Sequence, residues 1–283
     1  MANARALIVR LGRWAAWLKS PAPYLAVAGY GLFFLAWYLL VDVFALGRFS
    51  RMPGLASIVH EWISADPSYG VSIHTPIYYQ HILTSLERVG IAFALATALG
   101  VPLGLLLGWS PTVKEYVFPV FEMLRPIPIL AWVPLAIIMF SGSETPVVFL
   151  TFLASFFATT LNTLLGVRSI DPSFILAARC LGANRAQVFR HVIVPGALPF
   201  IFTGLQISVG VAWFSLVAAE MVSGQFGLGY LINTSYTMVQ YPTIAIAMLT
   251  LGLVGYSTSA AVRVAGDRLM TWRRREQRGA GHG

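Results

Sequence analysis

The sequence predicts an all-α integral membrane fold with about six transmembrane helices. Composition, the length of the apolar stretches and the placement of the basic residues carry that reading. Of 283 residues, 57% are hydrophobic and 11% are charged, with a mean hydropathy of +0.73. A soluble chain carries about 25% charged residues. So few charges cannot cover a water-facing surface, so the apolar side chains must face lipid.

A span needs roughly 20 apolar residues. The first such stretch is Tyr24 to Leu46, interrupted only by Asp42 near its end. The second runs from near Leu86 to Gly108, with Gly100, Gly104 and Gly108 spaced for close helix packing. The third, Tyr116 to Phe140, carries Glu122, Arg125, Pro126 and Pro128. The fourth is Pro146 to Gly166, the fifth Leu198 to Ala219 and the sixth Thr243 to Val262. Between the first two, Leu55 to Ile63 reads as a short amphipathic helix, broken by the turn Asp66-Pro67-Ser68.

Lys and Arg give the stretches a direction. An even number of spans puts both termini on one side. With that side cytoplasmic, it holds Arg5, Arg10, Arg13, Lys19, Lys114, Arg168, Arg179, Arg185, Arg190, Arg263 and Arg268, with Arg273, Arg274, Arg275 and Arg278 in the tail. The outer side holds only Arg48, Arg51 and Arg88. The chain thus divides into a cytoplasmic segment (1–23), a transmembrane domain (24–262) with an inner loop (168–197), and a basic cytoplasmic tail (263–283).

The net charge of +8 follows from that bias and does not indicate nucleic acid, since no basic face carries interleaved stacking aromatics. The one cysteine, Cys180, allows no internal disulfide. The first apolar stretch is too long for a signal-peptide core and reads as a membrane anchor. No histidine stands at metal-ligand spacing, so no metal is expected. No phosphate-binding Gly-rich loop precedes either lysine, Lys19 or Lys114. This chain is therefore expected to bind no cofactor.

The inner loop is the most specific segment. Asp171 is placed to cap a helix with Pro172 at its first position. Phe174, Ala177, Ala178 and Leu181 recur at helical spacing, and Gly182 suits the residue after the helix end. Asn184 and Gln187 have capping-box spacing. Pro195 and Pro199 are expected to end this second helix and begin the next span.

The loop resembles the cytoplasmic motif of bacterial ABC importer permeases, which reads Glu-Ala-Ala, three residues, Gly, nine residues, Ile-x-Leu-Pro. Here Leu176-Ala177-Ala178, Gly182 and Val192-Ile193-Val194-Pro195 stand at that spacing, with Leu176 replacing the glutamate. The segments RPIPILAWVPL (Arg125 to Leu135), VPGALPFIFTGLQISVGVAW (Val194 to Trp213) and VAAEMVSGQFGLGYLI (Val217 to Ile232) are similar to permeases of the nitrate, sulfonate, taurine and bicarbonate group.

The resemblance implies a type I importer fold in a bacterial inner membrane. It further implies a permease homodimer, two ATP-binding subunits holding ATP and Mg, and a periplasmic or lipid-anchored solute-binding protein. Asp171, Phe174, Ala177, Ala178, Leu181, Gly182 and Pro195 would then belong to the ATPase-coupling loop. The cargo would be a small anion of the nitrate, sulfonate/taurine or bicarbonate class, or another small organic solute.

Charges within spans are costly and usually face a bundle interior or cavity. Glu122 and Arg125, at i and i+3, are expected to pair on one helix face. With Pro126 and Pro128 breaking the helix beside them, and with Glu220 at the end of the fifth span, they are the candidate translocation-pathway residues. An ion-coupled secondary transporter would call for several mid-span acids and often an internal repeat. An enzyme would show a motif such as H-E-x-x-H or G-x-S-x-G. The sequence has none of these.

Overall fold

The computed structural model describes residues 20–44, 47 and 52–270, and among them the regular structure is all helical, with no strand. The basic N-terminal segment, Arg48, Arg51 and the tail beyond residue 270 lie outside the described residues. The helices in order are α1 (Pro21–Tyr38), α2 (Leu55–Ile63), α3 (Pro76–Trp109), α4 (Pro111–Leu124), α5 (Val133–Met139), α6 (Glu144–Arg168), α7 (Pro172–Cys180), α8 (Arg185–Val188), α9 (Val194–Ser223), α10 (Leu228–Thr237) and α11 (Tyr241–Leu269).

Five helical segments are long and apolar enough to cross a membrane, and the bent pair α4 and α5 makes a sixth. That third span is broken by 89° between Leu124 and Ile129. Pro126 and Pro128 cannot donate to a helical ladder. The chain turns instead through the bond from Ile127 N–H to the Leu124 carbonyl.

The core is α3, α6 and α9. The glycine ladder of α3 lies on α6: a Cβ at Gly100 would meet Thr159 and Thr160, one at Gly104 would meet Thr160 and Thr163, and one at Gly108 would meet Val167. Matching rows of ascending number make the two helices parallel, as the returning third span requires. Close approach without side chains is the main source of helix association in lipid, where apolar contact alone gives no advantage.

On its other side α6 meets α9 antiparallel. Ser155 and Ser208 each donate to the other's carbonyl, at 3.4 and 3.1 Å. Ser215 donates to the Leu150 carbonyl at 3.2 Å. Interhelical bonds of this kind contribute about 0.6 kcal/mol apiece in a membrane.

One expected span is lengthened and one expected helix end is corrected. The helix that carries the second span starts at Pro76, ten residues before the apolar stretch that begins near Leu86. At 34 residues it is about 51 Å long against a hydrocarbon core of about 30 Å. Its first three turns precede the apolar stretch and lie at the end of the bundle away from the α7–α8 loop, called the far end below. There, α2 caps the bundle. Its Glu61 accepts the Ser68 and Tyr69 N–H groups, and Trp62 donates to the Tyr78 hydroxyl, which bonds Thr250.

Secondly, Pro195 and Pro199 do not end a helix. From Arg185 the chain stays helical to Ser223, through a π turn at Phe189–Ile193. Within it the Val194 N–H bonds the Phe189 carbonyl five residues back. The widened ladder brings the chain to Pro195, which has no N–H to place, without stopping the helix.

Candidate functional site

Two sites stand at opposite ends of the bundle. At one end is the α7–α8 loop. The Asp171 carboxylate accepts the Ser173 N–H at 2.8 Å and starts α7 at Pro172. That bond holds the Asp171 carboxyl below its ordinary range. The cap is therefore in place at neutral pH and is lost only as pH falls through the lowered value.

At the other end of α7, Gly182 has φ of +84°. Its N–H bonds the Arg179 carbonyl, and the Ala183 N–H bonds the Ala178 carbonyl. This is a complete Schellman cap. Asn184 and Gln187 then form a reciprocal capping box. Four consecutive local devices thus fix the stretch from Asp171 to Gln187, so its shape is set before anything binds it.

The apolar side chains of α7 divide. Ile175 and Ala178 turn inward against the cluster built on Val188, Ile193 and Ala197. Ala178 is thereby corrected: it belongs to the packed side, not to the free face. Phe174, Ala177 and Leu181 remain outside with Leu176, and Phe174 is 63% and Leu181 89% exposed. Beside them runs a groove of about 600 Å³ whose walls include Ile170, Asp171, Phe174, His191, Val192 and Pro195.

At the far end, Arg88 is the centre of a buried ionic network. Counted by charge bias on the outer side, its side chain is 2% exposed and turned into the bundle. Its Nε and Nη2 donate to the two oxygens of Glu144 at 2.7 and 2.6 Å, while Nη1 donates to Glu220 at 2.8 Å and to the Phe226 carbonyl at 2.7 Å. Glu220 is 0% exposed. It also accepts from Ser85 Oγ at 2.9 Å and from the Gly229 N–H at 2.9 Å. Ser85 in turn accepts the Leu228 N–H, and His81 Nδ1 accepts the Gly227 N–H.

The N–H groups of Gly227, Leu228 and Gly229 are thus turned inward onto His81, Ser85 and the Glu220 carboxylate in turn. Gly227 has φ of +118°, and a Cβ on it would run into the Glu220 carboxylate. Only glycine fits both the conformation and the space.

Glu220, expected as a pathway-lining or surface carboxylate, is therefore enclosed in this conformation and ties α9 to α3 and α10. His81, Ser85, Arg88 and Glu144 were not singled out from sequence. The signal was available: His81, Ser85 and Arg88 stand at spacings of four and three, a polar stripe on one face of an apolar helix.

The third candidate region is the bend of the third span. Glu122 and Arg125 are both exposed there. They make no ion pair with each other, whereas Arg88 pairs with both Glu144 and Glu220. The expected pairing is corrected.

The architecture and the loop can now be set against known proteins. Residues 100–274 match the family described as binding-protein-dependent transport system inner membrane component. The chain belongs to that family. It is the permease subunit of an ABC importer, a multi-pass inner-membrane transport component and not an enzyme.

Among relatives, the taurine transport system permease TauC of Escherichia coli K12 is 38% identical over 69% of this chain and 70% of its own length. The nitrate import permease NrtB of Synechococcus elongatus is 31% identical over 92% of each chain. A probable ABC transporter permease of Brucella abortus is 40% identical over 69% of this chain and 78% of its own.

Solved folds agree. The inward-facing MetNI methionine ABC transporter superposes at a TM-score of 0.57 and 21% identity, covering 68% of this chain and 94% of the other. The importer of the acidic polysaccharide alginate superposes at 0.54 and 15% identity, covering 95% and 99%. Both are type I importers, so the type I permease architecture is shared.

Proposed function

We propose that this permease forms, as a homodimer, the pathway for a small anion of the nitrate, sulfonate/taurine or bicarbonate class. An external solute-binding protein delivers the anion, and two partner ATP-binding subunits, holding ATP and Mg, drive its import. The cargo class is supported by the taurine and nitrate permeases among the relatives. The basic residues Lys114, Arg168, Arg179, Arg185, Arg190 and Arg268 all sit toward the loop end, which supports a cytoplasmic loop and cytoplasmic termini.

The observation that carries the coupling assignment is the rigidly capped α7 with its unpartnered face of Phe174, Ala177 and Leu181. A connection between spans needs no such structure. A docking surface on an ATP-binding subunit does. Gly182 sets the angle between that face and α8, and the helix continuing from α8 through Pro195 into α9 carries any displacement into the bundle.

Arg125, with Pro126 and Pro128 at the bend, is the cation we assign to the anion's path, with Glu122 beside it. The assembled transporter, reconstituted in vesicles, tests both cargo and path. ATP-driven uptake of nitrate, taurine, an alkanesulfonate and bicarbonate is measured with the cognate binding protein. One of the four should be taken up, and Arg125→Gln should slow it at least tenfold while Arg125→Lys retains a part. Uptake of none would remove the anion assignment, and full uptake by Arg125→Gln would remove Arg125 from the path.

A further inference from the structure

The two carboxylates on Arg88 are not equivalent. Glu220 is sealed and held by Ser85, Arg88 and the Gly229 N–H. Glu144 is 59% exposed, and the hydrogen bonds recorded for its carboxylate come from Arg88 alone. The second bond lies open at the protein surface and the first does not. An ion pair open to solvent contributes little and weakens as salt rises, whereas a sealed one is screened much less.

Glu144 also stands at a mechanical junction. It is the first residue of α6, two residues after Gly142, which has φ of +86°. Before Gly142 lies α5, seven residues long, whose other end follows the 89° break. The segment is thus hinged on both sides.

What holds α5 down is modest: Val133 and Ala136 against Val147 and Leu150, and the Phe140 ring on Phe149 at 5.0 Å. Just before α5, the Trp132 Nε1 donor is buried with no acceptor. A donor left unsatisfied disfavours the closed packing relative to any arrangement that satisfies it.

We propose that Glu144 is the releasable half of this clamp, and that its departure from Arg88 frees α5 to swing off the core and open the far mouth of the pathway. Arg88 and Glu220 stay fixed and keep α3, α9 and α10 together while Glu144 and α5 move. The function of this opening rests on the importer reading above; the release itself does not.

The test uses the full transporter in native membranes. Cys180→Ser removes the sole cysteine, and Ala136→Cys places a thiol on the buried side of α5, a position 0% exposed. Labelling by a water-soluble maleimide is timed in this parent and with Glu144→Gln added. Several-fold faster labelling with Glu144→Gln is expected, together with a parent rate that rises with ionic strength and a variant rate that does not.

Unchanged labelling overturns the proposal. So does loss of Glu144→Gln protein from the membrane to the extent seen with Glu220→Gln, because Glu144 would then be a fixed post. Val133→Cys replaces Ala136→Cys if the latter is not recovered in the membrane. ATP-driven uptake, measured in parallel, separates failure of the importer reading from failure of the latch.

Discussion

Arg88→Gln is expected to abolish recovery of folded permease from the membrane. The substitution leaves Glu220 fully enclosed with only Ser85 and the Gly229 N–H to support its charge. Removing one partner of a buried ion pair costs about 3–5 kcal/mol, a large part of the roughly 5–15 kcal/mol that holds a domain folded. Arg88→Lys should rescue little, because a point charge cannot make the paired bonds to Glu144 and still reach Glu220 and the Phe226 carbonyl. The double variant Arg88→Gln with Glu220→Gln should regain part of the loss, since neither buried charge then remains alone. Membrane yield and detergent melting temperature of the three variants measure this. Equal recovery of Arg88→Gln and the parent would mean that the clamp carries no stability.

Gly182→Val should separate ATP hydrolysis from transport while leaving the bundle folded. No atom lies within 4 Å of a Cβ built on Gly182, so the substitution meets no clash. The cost is conformational: at φ of +84° a side chain is disfavoured by about 1–2 kcal/mol, and a β-branched one by more. Relief comes by abandoning the cap, which breaks the Gly182–Arg179 and Ala183–Ala178 bonds and turns α7 away from α8. Gly182→Asn is the control, because asparagine tolerates the left-handed region. ATP turnover and uptake, measured together, should diverge in the valine variant and stay matched in the asparagine variant. If both variants transport as the parent does, the angle between α7 and α8 is not part of coupling.

How much was legible in the sequence differs between the two ends of the molecule for a physical reason. The loop was readable because its structure is local. Asp171, Pro172, Gly182, Asn184 and Gln187 each act on backbone within a few residues, and each acts as its type predicts. What local rules could not tell was which way α7 is rolled, so Ala178 was placed on the free face. Its inward turn depends on Val188 and Ile193, which belong to another helix.

The far-end clamp was not readable because its members are remote. Arg88 meets Glu144 and Glu220 across separations of 56 and 132 residues. Counting charges by side put Arg88 outside, since that rule weighs which end of a span a charge lies near and not whether its side chain turns into the bundle. The pair sought instead, Glu122 and Arg125, was close in sequence and proved unpaired. The glycine ladder of α3 was legible as packing, and its partner α6 was not, because small residues mark an interface without naming what lies across it.

The central claim is that the free face of α7 docks on the ATP-binding subunit, and a photo-crosslink tests it most directly. A benzophenone amino acid is placed at Leu181 in the assembled transporter and, as a control, at Tyr236 of α10 at the opposite end of the bundle, which is 67% exposed. Irradiation should join the permease to the ATP-binding subunit from position 181 and not from position 236. No adduct from position 181 in an intact complex, or equal adducts from both positions, would contradict the assignment.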